Sequence, residues 1–199
     1  MVKGTQGYAS VTREFVKATH NLSFTELHKD FIPYIPKKRS NILDLGAGIG
    51  RDAHELSEMG HSVIALEPLE EFRISGMNLY PSSNITWIDD SLPKLERLKK
   101  SSSKFDFILS SGVWHHLTPK EQELALSEVS ILLNKNGVLA LSLRNGPAGA
   151  GSHIFPTDGK KTIQMAGTLG LKCVLHLENQ PSLLKHKKKV SWSRLALKK

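Results

Sequence analysis

The run Ile42-Leu43-Asp44-Leu45-Gly46-Ala47-Gly48-Ile49-Gly50-Arg51-Asp52 decides how this chain is read. A short apolar strand, Asn41 to Leu45, leads into three closely spaced glycines. A helical stretch follows from about Arg51 to Met59, and Gly60 closes it as a glycine just past a helix end does. Glycine lets the backbone turn sharply, and it lets a ligand lie against the chain without meeting a Cβ. In an open parallel sheet, the carboxyl end of such a strand borders the binding crevice.

The spacing excludes two common ligands. A dinucleotide fingerprint needs glycine five places after the first one, and that place holds Arg51. A phosphate loop of the Walker type needs Gly-Lys-Ser/Thr, which does not follow. What remains is a glycine turn between two acids, Asp44 and Asp52. Acids suit a ligand that carries an ammonium and a positive centre better than a pyrophosphate. Glu67 ends the next strand, where a carboxylate can accept both hydroxyls of a ribose. Asp89 and Asp90 end the third, where one can accept from an adenine amino group. A lone strand-end acid is usually a cap or turn residue. Three acidic sites at successive strand ends after one glycine turn point instead to a nucleoside.

Outward from this run, strand-like and helix-like stretches alternate, which predicts an α/β parallel sheet. Residues 1–21 are weakly patterned and are expected to form a flap or mobile arm. Residues 24–35 have helical spacing. Strands are expected at His61 to Glu67, Ile85 to Ile88, Phe105 to Leu109 and Val138 to Leu143. Helices are expected at about Leu69 to Met77 and Leu92 to Lys100. Thr118-Pro119-Lys120-Glu121 is a capping box with proline at the first helical position, and Gly137 is expected to end that helix. A Gly- and Pro-rich loop covers 145–156, and a helix 159–168. The last two strands, Leu171 to Leu177 and Val190 to Leu197, have no helical pattern between them, so they should form an antiparallel hairpin.

The 199 residues suit one domain with a real core. No apolar run approaches the roughly 18 residues that would span a bilayer. The start lacks a secretory pattern. The single cysteine, Cys173, cannot make an internal disulfide and reads as a buried thiol. A cytoplasmic location is therefore expected. The net charge of +8 is spread over four short clusters, Lys37-Lys38-Arg39, Lys99-Lys100, Lys160-Lys161 and Lys187-Lys188-Lys189. These read as solvated surface, although a basic balance also suits nucleic acid.

On these residues the chain resembles the class I S-adenosylmethionine-dependent methyltransferases. LDLGAGIGRD is similar to their first motif, VIALEP to the second-strand acid motif, WIDDSLPKL to the third and FDFILSSGVWHHL to the fourth. NKNGVLALSLRNGP is similar to the segment around the fifth strand. The likeness covers about residues 24–199 and is nearest to small bacterial members of unassigned substrate. It implies a Rossmann-like seven-stranded, mostly parallel sheet of order 3-2-1-4-5-7-6, with strand 7 antiparallel and helices on both faces. It also implies S-adenosylmethionine as cofactor and S-adenosylhomocysteine as product.

By the same likeness, Gly46, Ala47 and Gly48 lie against the methionine part, Asp44 holds its ammonium, and Arg51 pairs its carboxylate. Glu67, with Pro68 beside it, takes the ribose. Asp90, or Asp89, reaches the adenine, with Ser91 and Leu92 beside the ring. Ser111 and Gly112 line the methionine end. Methyl transfer from an activated sulfonium asks mainly for alignment. His115 and His116 are candidate proton acceptors, His115 ahead of His116. Trp114, Arg144 and His153 are candidate substrate contacts, Arg144 suiting a carboxylate or phosphate. Acceptor specificity is expected from residues 1–21, the region after Ser111, and loop 145–156.

No metal site is expected, because the spacing of histidines and cysteines is wrong for one. A Ser-His-Asp hydrolase is unsupported, since no Gly-x-Ser-x-Gly occurs. The leading expectation is methylation of a small molecule. An RNA or DNA methyltransferase is the alternative. Against it, SSGVWHHL stands where enzymes of exocyclic base amines resemble one another in an Asn/Asp-Pro-Pro-aromatic run. A non-catalytic S-adenosylmethionine-binding protein is the third reading.

Overall fold

The computed structural model describes residues 2–184 and 187–199. Seven strands form one sheet: β1 Asn41–Leu45, β2 Ser62–Leu66, β3 Ile85–Ile88, β4 Phe105–Ser111, β5 Leu133–Asn145, β6 Lys172–Pro181 and β7 Ser191–Lys198. Their order is β3-β2-β1-β4-β5-β7-β6. β1 to β5 run parallel, and β7 is antiparallel to β5 and to β6. The helices are α1 Thr12–Thr19, α2 Phe24–Leu27, α3 Arg51–Glu58, α4 Glu70–Leu79, α5 Pro119–Leu132 and α6 Gly159–Thr168.

Strand side chains alternate between two faces, and each face has its own core. Ile42 of β1 packs with Phe24 of α2, Phe31, and Ala53 and Leu56 of α3. Its neighbour Leu43 packs on the other side with Ala125, Leu126 and Val129 of α5 and Ala166 of α6. The sheet is thus covered on both faces, as a parallel sheet must be. Its one open edge of interest is the carboxyl end of β1, β2, β4 and β5.

Four local expectations are corrected. The stretch 24–35 is not one helix: it is α2 and a separate 3₁₀ turn at Ile32–Tyr34, because Pro33 has no amide to donate back along a continuous helix. The stretch 92–100 holds only a 3₁₀ turn, Leu98–Ser101. Asp90 Oδ2 there accepts the amides of Arg97 and Leu98, which a helix would direct to its own carbonyls. α5 ends at Leu132, before Gly137. Gly137 serves close packing instead, since a Cβ there would lie 2.9 Å from the Phe105 carbonyl oxygen. Cys173 is half-buried rather than buried.

The expected capping box is present. Thr118 accepts from the Glu121 amide at 3.3 Å, and Glu121 accepts from the Thr118 amide at 2.8 Å. α5 covers the sheet directly behind the site loop, so its start bears on overall stability. Thr118→Ala should lower unfolding free energy by about 1 kcal/mol, read as a lower denaturant midpoint at unchanged slope.

Candidate active site

The floor of the site is the turn after β1. Gly46 has φ of +77°, and the amides of Gly46 and Ala47 both donate to the Leu66 carbonyl, at 2.8 and 3.0 Å. The Gly48 amide donates to Glu67 Oε2 at 2.9 Å, while Glu67 Oε1 accepts from the Leu69 amide at 2.9 Å. One carboxylate thus pins the glycine turn to the end of β2 and to the start of α4. A Cβ at Gly46 would lie 2.4 Å from Val113 Cγ2. The room beside Gly46 is therefore filled by the loop after β4, not kept for a ligand, and its glycine answers to packing and positive φ.

Three buried acids stand on this floor in different electrostatic states. Asp44 is 2% exposed, and its Oδ2 has no hydrogen-bond partner. Burial, with the nearby Asp52 carboxylate adding to it, pushes its pKa well above the usual range. For Asp52, burial works the same way but loses. His28 Nε2 donates to it at 2.8 Å and Arg51 Nε at 2.7 Å, and together they hold it below the usual range. Arg51 also donates to the Thr19 carbonyl. Burial lifts Glu67 to about 7, against the two amides it accepts.

The roof is built from residues 2–22, which are an ordered cover. Phe15 of α1 stacks on Phe72 of α4 at 4.7 Å, and Tyr8 meets both rings edge-on. Ile49, Leu69 and Phe72 form the apolar seat beneath them. The Ser152 amide donates to the Gln6 carbonyl at 3.1 Å, so loop 145–156 and the N-terminal cover meet over the crevice.

The far wall follows β4 and β5. His116 Nδ1 faces the His153 carbonyl at 3.0 Å, which only accepts, so that nitrogen carries the proton. Nε2 then accepts from the Tyr8 hydroxyl, also at 3.0 Å. Burial lowers the pKa of His116, and the bond to His153 opposes that. His115 is pushed down to about 2 by burial and by its neighbours His116 and Arg144, and its Nδ1 has no partner. Burial raises Tyr8.

One cavity of about 550 Å³ gathers most of the expected residues: Asp44, Gly46, Ala47, Gly48, Arg51, Glu67, Pro68, Ser91, Leu92, Ser111, Gly112, His115, His116 and Arg144. Four others do not line it. Trp114 is 1% exposed and belongs to the core with Leu117 and Leu126. His153 turns its ring edge-on to Phe155 and reaches the site only through its carbonyl. Asp89 pairs with Arg73 and Arg97. Asp90 spends its oxygens on the amides of Ser91, Arg97 and Leu98. It shapes the Ser91–Leu92 rim without facing the cavity.

Sequence reasoning named the region of residues 1–21 but not Tyr8 and Phe15. It missed Lys187 and Trp192, which also line the cavity. For Phe15 a signal lay in the amphipathic spacing of 12–19, and for Tyr8 there was none. For Lys187 and Trp192 there was none either, because β7 reaches the site only through its pairing with β5.

Residues 42–137 match the profile of a methyltransferase domain family. The match covers just under half of the chain. An uncharacterised methyltransferase of Bacillus cytotoxicus is 29% identical over 108 residues, 54% of this chain and 49% of the relative. Another, of Bacillus anthracis, matches equally. The chain spans about half the length of the curated relatives it matches. The fold recurs in solved structures. One is a 1,6-didemethyltoxoflavin-N1-methyltransferase of Burkholderia thailandensis, with bound 1,6-didemethyltoxoflavin and S-adenosylhomocysteine. It has a TM-score of 0.66 and 19% identity, over 96% of this chain and 88% of that one. Another is the magnesium protoporphyrin IX methyltransferase of Synechocystis with bound S-adenosylmethionine, TM-score 0.69 and 14% identity, over 99% and 89%. A TehB-like methyltransferase of Corynebacterium glutamicum gives 0.65 and 22%, over 98% and 96%.

Solved structures of this fold hold S-adenosylhomocysteine or S-adenosylmethionine, and the residues present here fit such a ligand. The buried, unpartnered Oδ2 of Asp44 is what a ligand ammonium would satisfy, since a buried acceptor without a donor is costly. Glu67 retains acceptor capacity on both oxygens for hydroxyl donors.

A pH dependence follows from Glu67. Ribose hydroxyls donate to the ionised carboxylate, so binding favours the form that burial disfavours and releases a proton below about pH 7. Affinity for S-adenosylhomocysteine should therefore rise with pH up to about pH 7, by up to about tenfold per unit for each proton released, and level off above it. Asp44 acts in the same direction. Glu67→Gln should weaken binding by about 1.5–3 kcal/mol and flatten the part of the slope that ends near neutrality. Titration calorimetry at several pH values measures both, and an unchanged profile in the variant removes Glu67 from the ribose.

Proposed function

We propose that this methyltransferase transfers a methyl group from S-adenosylmethionine to a small-molecule acceptor held under the N-terminal cover. The observation that carries the reading is the N-terminal roof. Val2, Tyr8, Val11 and Phe15 line the same cavity as Asp44 and Glu67, so the space beyond the cofactor's place is a roofed cleft rather than a flat face. Such a cleft takes a small ligand, as pockets of a few hundred Å³ generally do. The toxoflavin and protoporphyrin enzymes, which share the fold, also act on small molecules.

The cofactor would supply an activated methyl group on a sulfonium. The chain's own residues then have three tasks. Asp44 and Glu67 fix the cofactor by its ammonium and ribose. The cover and loop 145–156 exclude water. Tyr8 and His116 supply a hydrogen-bonded polar pair at the acceptor side. When an acceptor hydroxyl or amine gives up its proton, the Tyr8 oxygen can take it while its own proton passes to Nε2 of His116. His115 is held neutral at physiological pH and is assigned to the wall. This reverses the order expected from sequence.

Lys187 of the fourth basic cluster lines the cavity, but the other three clusters do not. Lys37-Lys38-Arg39 precede β1 and Lys99-Lys100 precede β4, so both clusters lie at the amino edge of the sheet, opposite the cavity. Lys99, Lys160 and Lys161 pair with Glu128, Glu178 and Glu123.

Incubation with S-adenosylmethionine and a broad acceptor panel should yield S-adenosylhomocysteine, read by mass spectrometry, with small molecules and not with RNA. For an acceptor that is turned over, Tyr8→Phe should lower kcat by about a hundredfold while leaving S-adenosylhomocysteine affinity within a few fold. Turnover restricted to RNA, or equal turnover in Tyr8→Phe, counts against the small-molecule cleft or the proton acceptor respectively.

A further inference from the structure

We propose that the acceptor is an anion, its carboxylate or phosphate group held by Arg144 and Lys187 while its body lies along Trp192. This rests on the methyl-transfer reading and names the substrate class of the same site.

Arg144 is 7% exposed, yet among the described residues it has no carboxylate partner. Its guanidinium donates only to the carbonyls of Gly146 and Pro147. The other buried or half-buried arginines are all paired: Arg51 with Asp52, Arg73 with Asp89, and Arg194 with Asp30. A desolvated cation without a counter-charge is unfavourable unless an anion completes it. A guanidinium fork suits a carboxylate or phosphate geometrically.

A second cation makes the same point. Lys187 is half-buried, lines the same cavity and forms no ion pair among the described residues. The segment that carries it is pressed onto the loop after Arg144. A Cβ at Gly146 would lie 2.5 Å from the Lys189 carbonyl oxygen. Burial lowers the Lys187 pKa, and the field of Arg144 lowers it further. Two cations that destabilise each other in one cavity mark a place for negative charge.

The acids of the cavity lie elsewhere. Glu14, Asp44, Asp52 and Glu67 come from the cover, β1, the start of α3 and the end of β2, and no acid between Pro68 and Trp192 lines it. The cavity thus has an acidic half for the cofactor and a cationic half for something else. Trp192 joins the two. It is the register partner of Arg144 across β5 and β7, and its ring lies 3.4 Å from where a Gly112 Cβ would be. A planar acceptor on this ring would have Gly112, at the methyl-donor end, and Arg144 within one molecule's reach.

The test is calorimetry on the full chain. S-adenosylhomocysteine is titrated first, and failure to bind overturns the cofactor reading and this inference with it. The saturated complex is then titrated with inorganic phosphate, phenyl phosphate, benzoate and the neutral benzamide. At least one anion should bind, with benzamide about tenfold weaker or more, the order of a charged hydrogen-bond pair. R144Q and K187Q should each reduce the anion preference, and R144K should restore part of it. Whichever of benzoate and phenyl phosphate binds more tightly identifies the headgroup. With S-adenosylhomocysteine bound, three outcomes overturn the anion alone. These are no binding of any anion at tens of millimolar, benzamide binding as well as benzoate, or anion affinity unchanged in both R144Q and K187Q. An RNA oligomer that competes better than phenyl phosphate at Arg144 overturns the small-molecule assignment.

Discussion

The glycine turn, the second strand and the fourth helix meet at one buried carboxylate. Glu67 gives one oxygen to the Gly48 amide and the other to the Leu69 amide. Burying that charge is unfavourable, which is why its pKa stands near neutrality. The two amides offset part of the penalty and fix the loop in one position. The geometry of the cofactor edge descends from this constraint. Gly48 is held above β2, α4 starts at a set angle, and Phe72 on α4 presents the apolar seat on which the N-terminal cover rests.

The cavity that results is electrostatically divided. Carboxylates of β1 and β2 face one half, and uncompensated cations of β5 and the segment before β7 face the other. Between them stand polar groups that are neutral, Tyr8 with His116 and the isolated His115. For an in-line transfer from an activated donor, this is sufficient. Most of the barrier that such a site can remove lies in alignment and in exclusion of water, and a roof built from two segments serves both.

Much of the fold was legible along the chain. β1 and β3 fall where their apolar runs end, α3 ends at Glu58 with Gly60 at positive φ just beyond, and the capping box of α5 forms as its four residues dictate. Legibility failed where a distant group captured local hydrogen bonds. Asp90 took the amides that would have made a helix of 92–100. The same carboxylate was expected to meet a base and instead organises its own loop. Trp114 follows the site strand, yet its indole faces α5 and the core.

Sequence alone determined the order of strands and helices, the glycine turn and the acids at the strand ends. These are local properties: periodicity, special φ values and short spacings that neighbouring residues enforce. Only the tertiary structure decided which acids remain free, that residues 2–22 fold over the crevice, and that Tyr8 reaches His116 across 108 positions. It alone brought Lys187 and Trp192 beside Arg144. Such contacts depend on burial and on strand pairing between remote segments, and burial decides whether a charged side chain finds a partner or is left waiting for a ligand.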